Sequence, residues 1–190
     1  MNKGIICIET EWEHTVKAHR LQIHTEPLLE FVQKLHGLDI IYRRIATWNE
    51  LEYYLKRFSL QQYDNYQIMY LSFHGDKGGI FLEGEKGRDA FVSLEKLSKV
   101  ANGVFENRIV HFSSCETLQL NDFELIKFKK NVNADILSGY TTKVDGALSA
   151  INDIAYMDQL ILNDYSKRKT KYAMNKYYGD LNKSLGFTIV

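Results

Sequence analysis

The chain has 190 residues, which is enough for one well-packed domain and short for two. Hydrophobic residues make up 45% of it and charged residues 25%, a composition that is typical of a globular protein and excludes a disordered one. The 24 Lys and Arg side chains balance the 24 Asp and Glu side chains, so the net charge provides no general attraction to nucleic acid or to an anionic membrane.

The sequence contains no pattern of an export signal, a membrane span or a disulfide framework. Its first apolar run, residues 4–8, is short and has no cleavage-site pattern. No stretch approaches the roughly 20 apolar residues of a transmembrane helix. Cys7 and Cys115 are the two cysteines, too few for a disulfide framework. We therefore expect a cytoplasmic protein with reduced thiols and with no nucleic-acid or membrane partner.

The first half of the chain alternates between strand and helix patterns. Pro27 stands where a helix would start and Gly37 where it would end. The segment Thr47-Trp48-Asn49-Glu50 has the pattern of a helix capping box. In chain order we predict a strand, a helix, a strand, a helix and a strand at residues 3–10, 27–37, 39–45, 47–60 and 66–74.

A glycine-rich stretch follows, and the alternation then resumes. Two short apolar pieces, Ile80-Phe81-Leu82 and Ala90-Phe91-Val92, indicate a β-hairpin outside the main sheet. Beyond them we predict a helix, a strand, a helix, a strand, two helices and a short last strand at residues 93–101, 108–115, 121–130, 134–140, 144–165, 171–185 and 187–190.

This order of elements predicts the fold class. Strands separated by helices favour right-handed crossovers and a mostly parallel sheet with helices on both faces. We therefore predict an α/β fold: a three-layer αβα sandwich with a flavodoxin-like, mostly parallel sheet of about six strands and a small β-hairpin insertion after the third strand. Because no linker, repeat or low-complexity segment interrupts the pattern, we expect residues 1–190 to form a single domain.

His74 and Cys115 each end an apolar run that predicts a buried strand. Ligands of open parallel sheets bind just beyond the carboxyl ends of the strands, and two neighbouring strands would bring this imidazole and this thiol to one edge. An imidazole can take the proton of a thiol and later return it to a leaving amine. The N–H groups of Gly75 and Cys115 are the obvious donors to an oxyanion.

Simpler explanations exist for the same residue types. A lone buried cysteine is usually a small apolar filler, and a histidine at a strand end is usually just hydrogen-bonded there. His14, His19 and His24 recur every five residues, which is not a helical face, and no Cys/His pair has zinc-ligand spacing. We therefore expect no metal and no other cofactor.

The segments Phe73-His74-Gly75 and Phe112-Ser113-Ser114-Cys115-Glu116-Thr117 resemble the caspase-like cysteine peptidases, the group of caspases, separase, clostripain and the bacterial CHAT domains. Those proteins place a His-Gly pair after the third core strand and a Cys after the fourth. The apolar hairpin at residues 78–82 and the helix start at residues 92–97 are also similar. The likeness extends over about residues 1–162 and is strongest at residues 66–117.

The resemblance implies a Cys–His dyad. His74 would be the general base and acid, and Cys115 the nucleophile that forms an acyl-enzyme intermediate on a peptide carbonyl. The N–H groups of Gly75 and Cys115 would form the oxyanion hole. The resemblance therefore implies a protein or peptide substrate.

A second similarity concerns substrate recognition. Residues 142–147 are similar to the segment after strand 5 of separase and CHAT proteins, in which an acid helps to recognise a basic residue before the cut. This implies that Asp145 pairs with an Arg or Lys of the substrate, although Asp145 fits a helix cap equally well. Glu9 and Glu11, just past the first strand, are weaker candidates for the same pocket.

The function predicted on these grounds is a cysteine endopeptidase, closest to the bacterial CHAT-like domains, acting in defence or regulated proteolysis with an activating partner protein. The pentapeptide around the caspase cysteine is absent, and no long linker follows Cys115. Two alternatives stay open. The chain could be an inactive caspase-like interaction module, or a flavodoxin-like nucleotide or signalling domain in which His74 and Cys115 are incidental.

Overall fold

The computed structural model describes residues 3–10, 24–101 and 103–190. The fold is α/β, with a mostly parallel six-stranded sheet flanked by helices on both faces, which confirms the predicted fold class. The elements of this fold are β1 (Gly4–Thr10), α1 (Glu26–His36), β2 (Ile40–Ile45), α2 (Trp48–Phe58), β3 (Tyr66–Ser72), β4 (His74–Asp76), β5 (Gly79–Phe81), β6 (Phe91–Ser93), α3 (Leu94–Val100), β7 (Ile109–Ser113), α4 (Asp122–Asn131), β8 (Ile136–Tyr140), α5 (Gly146–Leu162), α6 (Lys167–Leu185) and β9 (Phe187–Ile189).

The strand order of the main sheet defines where a ligand can bind. It is β2-β1-β3-β7-β8-β9, with every pair parallel except the antiparallel pair of β8 and β9. The chain therefore moves from β1 to one side for β2 and to the other side for β3. In an open sheet of this order, the crevice lies outside the carboxyl ends of the strands at that reversal.

Both faces of the sheet are covered, as a parallel sheet requires. Successive residues of β1 contribute to opposite cores, with Ile6 in one and Cys7 in the other. One core receives the apolar faces of α2, α3 and α4, and the other those of α1, α5 and α6. Burying one such side chain, for example Leu55 of α2, stabilises the fold by about 1.5–3 kcal/mol.

The capping residues predicted from the sequence lie at the ends of two helices. Thr47 and Glu50 form both hydrogen bonds of a capping box at the start of α2. Gly37 adopts the left-handed conformation, with φ of 66°, directly after α1. The last helix is longer than predicted and begins at Lys167. No helix in the described part of the chain is long and apolar enough to cross a membrane.

The segment after β3 differs from the prediction in two respects. The third strand is predicted to continue to His74, but β3 ends at Ser72 and His74 begins β4. Strands β4, β5 and β6 form a separate antiparallel sheet of three strands in place of a two-stranded hairpin. The chain leaves the main sheet here because His74 and Gly75 pair with Phe81 and Ile80 of β5.

Candidate active site

The register of two parallel strands brings His74 and Cys115 together. In the pair of β3 and β7, Ile68 lies opposite Ile109 and each later pair, up to Ser72 and Ser113, keeps the same offset. Cys115 follows His74 in the sequence by the same number of residues as Ile109 follows Ile68. Each of the two residues lies two positions after the end of its strand. Adjacent strands lie about 4.8 Å apart. The two residues therefore follow neighbouring strands at the same edge of the sheet, and both line one cavity.

Gly75 provides the closest contact between the two strand ends. A Cβ atom at this position would lie 2.3 Å from the carbonyl oxygen of Cys115 and 2.4 Å from Oγ1 of Thr117. No side chain can be accommodated at such distances without moving the backbone. The His74-Gly75 segment therefore packs directly against the turn that carries the thiol.

The turn at Cys115 is held by hydrogen bonds on both sides. Thr117 is fully buried, and its Oγ1 lies 2.6 Å from Oγ of Ser114 and donates to the carbonyl oxygen of Gly79 at 3.0 Å. Glu116 has a φ of 54°, which turns the chain away from the strand direction directly after the cysteine. These contacts connect the thiol-bearing turn to β5 of the small sheet.

The sulfur of Cys115 is half-buried and faces the loop between β8 and α5. The N–H of Val144 is directed at Sγ from 3.4 Å, and the N–H of Glu116 donates to the carbonyl oxygen of Thr142 at 3.0 Å. Within the described residues, the N–H of Cys115 makes no backbone hydrogen bond. It is therefore suited to donate to a ligand oxygen.

The imidazole of His74 is 60% exposed and lies at the rim of the cavity. Its Nε2 atom is 3.5 Å from Oε1 of Glu83, a residue that follows β5. A base at such a position can exchange protons with a substrate or with water.

The cavity has a volume of about 360 Å³ and lies beyond the carboxyl ends of β3 and β7. This is within the size range of small-molecule and side-chain pockets. Leu28 of α1 and Ala150 of α5 form apolar parts of its wall. The residues that end the two strands line it on one side: Ser72, Phe73, His74, Ser113, Ser114 and Cys115.

Asp153 of α5 lies at the inner end of the cavity and is completely buried. Its Oδ1 accepts from Nε2 of His111 at 2.9 Å and from the hydroxyl of Tyr140 at 2.5 Å. Its Oδ2 accepts from the hydroxyls of Tyr70 at 2.5 Å and Ser113 at 2.7 Å. This carboxylate therefore accepts hydrogen bonds from four side chains of the chain itself.

Opposing effects determine the pKa of Asp153. Burial alone raises it, but the positive charge and hydrogen bond of His111, with the hydroxyls of Tyr140 and Tyr70, outweigh the burial and lower the pKa below its ordinary value. The same arrangement raises the pKa of Tyr70, through burial first and the negative charge of Asp153 second. The carboxylate is therefore held ionised inside the protein.

No group of three or more His, Cys, Asp or Glu side chains in the described ranges is arranged to hold a metal ion.

The acidic residues predicted to bind a basic substrate have other partners. Asp145 is exposed, its Oδ1 accepts from the N–H groups of Ala147 and Leu148 at 3.0 Å, and it does not contribute to the cavity wall. It is the N-cap of α5, the second of the two roles considered above. A substrate contact by Asp145 stays a prediction.

Glu9 is fully buried beneath the cavity and does not line it. Its carboxylate accepts from the N–H and the hydroxyl of Thr25 at 2.9 and 2.6 Å and from the hydroxyl of Tyr42. The hydroxyl oxygen of Thr25 also lies 2.8 Å from Oγ of Ser72 and can accept the Ser72 hydroxyl, so Glu9 supports the wall from behind. Glu11, like His14 and His19, lies outside the described residues.

Three residues of this site were not predicted from the sequence to have a role in it. Thr117 follows the cysteine by two positions, Glu83 is one acid in a charged loop, and Asp153 lies in a helix pattern. Asp153 alone had an indication, because a carboxylate on an otherwise apolar helix face needs a buried partner.

Comparison with curated proteins gives no match to this chain. Residues 2–190 match the sequence pattern of DUF6642, described as a family of unknown function, and the chain belongs to that family.

Proposed function

We propose that this protein is a cysteine endopeptidase in which Cys115 is the nucleophile and His74 the general base and acid. The observation that supports this most strongly is the shared register of β3 and β7, which brings the two residues to the rim of one cavity. A thiol, an imidazole, a free backbone N–H and a pocket for a substrate side chain are the components that acyl transfer needs.

The first half of the reaction follows from these positions. His74 takes the proton of Cys115, and the sulfur attacks the carbonyl carbon of the scissile peptide. The N–H groups of Gly75 and Cys115 donate to the oxyanion that forms. The protonated imidazole then gives its proton to the leaving amine, the C–N bond breaks, and an acyl-enzyme thioester remains.

In the second half of the reaction, water releases the acyl group from the sulfur. His74 takes a proton from a water molecule, which attacks the thioester carbonyl, and the proton returns to the sulfur when the C–S bond breaks. The exposure of the imidazole supports this step, because water reaches the ring directly. The products are a carboxylic acid and the regenerated thiol.

The cavity beside the thiol is the place for the substrate side chain that precedes the cut. The preference for a basic substrate residue, predicted from Asp145, is a separate proposal. The carboxylate of Asp145 caps α5, and the carboxylate of Asp153 in the cavity already accepts hydrogen bonds from four donors of the chain. Peptides with basic, acidic and apolar residues at this position distinguish the possibilities. A protein substrate and an activating partner complete the proposed cellular role.

The test compares the wild type with Cys115→Ala and His74→Ala. Iodoacetamide labelling at pH 7, mapped by mass spectrometry, measures thiol reactivity, and fluorogenic Arg, Lys, Asp and Leu peptides measure cleavage. We expect rapid labelling of Cys115, and a fall in cleavage of about 10²–10⁴-fold in His74→Ala. Cys7 is the internal control, because burial leaves it inaccessible and raises its pKa well above the ordinary value.

Three results would count against the proposal. Labelling of Cys115 at the same rate in the wild type and in His74→Ala would mean that the pair does not act together. Stabilisation of the protein against heat by ATP, GTP or FMN, blocked by a bulky label on Cys115, would instead favour the flavodoxin-like alternative. A reactive Cys115 that cleaves no peptide and no protein in a cell extract would favour an interaction module.

A further inference from the structure

The loop that follows β5 is held against the carboxyl edge of the main sheet. The N–H of Glu83 donates to Oγ1 of the fully buried Thr10, at the end of β1, at 3.4 Å. The N–H of Gly84 donates to the carbonyl oxygen of Ala46, just past β2, at 2.8 Å. A Cβ at Gly84 would lie 2.8 Å from that same oxygen, so the close approach depends on glycine. The backbone of this loop is therefore fixed relative to the strand ends.

This fixed loop directs one carboxylate at the imidazole. Oε1 of Glu83 is 3.5 Å from Nε2 of His74, and the Glu83 side chain is only 22% exposed. The pairing of His74 with Phe81 in the small sheet holds His74 beside the strand that leads into this loop. The contact is thus set by backbone geometry on both sides.

We propose that Glu83 is a positioning residue for His74, which makes the site a Cys115–His74–Glu83 triad; this inference rests on the function proposed above. When Nε2–H is donated to the carboxylate, the basic lone pair of the neutral ring is on Nδ1. Nδ1 then takes the proton of Cys115, and the ionised carboxylate stabilises the imidazolium that results. Glu83 itself stays deprotonated throughout, and the proton returns from Nδ1 to the leaving amine.

A second acid of the same loop provides a matched control. The carboxylate of Glu85 accepts the N–H of Trp48 at 3.0 Å and so contributes to the start of α2. Changing Glu85 to Gln removes the same charge two positions from Glu83 and keeps an acceptor oxygen. An effect of loop charge alone would appear in both variants.

The experiment measures the rate of Cys115 labelling by iodoacetamide in the full chain. We expect Glu83→Ala to slow labelling about two- to fivefold, within the range for an ion pair in contact with solvent, and Glu83→Gln to restore part of the rate. Glu85→Gln is expected to keep the wild-type rate. In a His74→Ala background, Glu83→Ala is expected to have no further effect, because the carboxylate acts through the ring.

The outcomes separate this inference from the proposed function. A rate that depends on His74 but not on Glu83 overturns the triad and leaves the dyad intact. An equal loss from Glu83→Ala with and without His74 assigns Glu83 a merely structural role and also overturns it. A rate independent of His74 overturns both proposals. Thermal unfolding of each variant, expected near the wild-type midpoint, verifies that the fold is unchanged.

Discussion

Gly75 is the residue on which the geometry of the candidate site depends most directly. Its hydrogen atom fills a space bounded by the backbone of Cys115 and the side chain of Thr117, both within 2.4 Å of a hypothetical Cβ. A glycine after a catalytic histidine is commonly explained by an unobstructed N–H. Here it also permits two strand ends to meet.

Gly75→Ala is therefore expected to separate His74 from Cys115. The added methyl group forces a backbone shift, and we expect a loss of about 1–3 kcal/mol in the free energy of unfolding. Labelling of Cys115 should fall toward the His74→Ala rate, measured by iodoacetamide kinetics alongside urea denaturation. Gly179→Ala is the matched control, because a Cβ there contacts nothing within 4 Å and the variant should be as stable as the wild type or more so. Wild-type stability and reactivity in Gly75→Ala would show that the strand ends have room to relax.

At the scale of elements, the start of α5 connects the site to the sheet. Asp145 caps this helix, and Val144 just before it directs its N–H at the sulfur of Cys115. Residues 142–147, the segment with the similarity to separase and CHAT proteins, therefore include a residue that contacts the candidate nucleophile. The backbone N–H of Val144 makes this contact, whereas the carboxylate of Asp145 caps the helix.

Two substitutions at Asp145 distinguish capping from substrate recognition. Asn keeps an oxygen that can accept the N–H groups of Ala147 and Leu148, but Ala does not. We expect Asp145→Ala to lower the free energy of unfolding by about 1 kcal/mol and Asp145→Asn to change it little. If the carboxylate serves only as a cap, neither variant alters the ratio of Arg to Leu peptide cleavage. A fall of that ratio in both variants would assign the carboxylate to the substrate, as the resemblance implies.

At the scale of the whole molecule, the fold class was predictable, and so was the sheet edge at which His74 and Cys115 lie, because both follow from periodic patterns. Alternating apolar periods indicate which segments form strands, and strand ends of a parallel sheet necessarily share an edge. The contacts of Glu83, Thr117 and Asp153 were not predictable in this way. Each joins residues from different elements, such as Ser113 to Asp153 or Thr117 to Gly79, and no local pattern encodes a side-chain direction.

The buried Asp153 network also connects the sheet to one of its two helical layers, since it joins β3, β7 and β8 to α5. Asn at this position offers the donors around Asp153 a neutral amide in place of an ionised carboxylate. Asp153→Asn is therefore expected to lower the free energy of unfolding at pH 7 by about 1.5–3 kcal/mol, the range for a hydrogen bond to a charged group. An exposed acid such as Asp89, changed to Asn as a control, should alter it by less than about 0.5 kcal/mol.

The pH dependence of that loss provides a sharper test than its size. Because folding lowers the pKa of Asp153, its stabilising contribution is complete above the pKa of an unfolded Asp, about 3.9, and is lost as the pH falls through the lower pKa of the folded state. Urea unfolding followed by circular dichroism from pH 5 to pH 3 should therefore show the difference between wild type and Asp153→Asn shrink as the pH falls below about 4 and the wild type loses its advantage. A difference that persists undiminished to pH 3 would mean that the hydrogen bonds of this carboxyl group, and not its charge, hold the layers together.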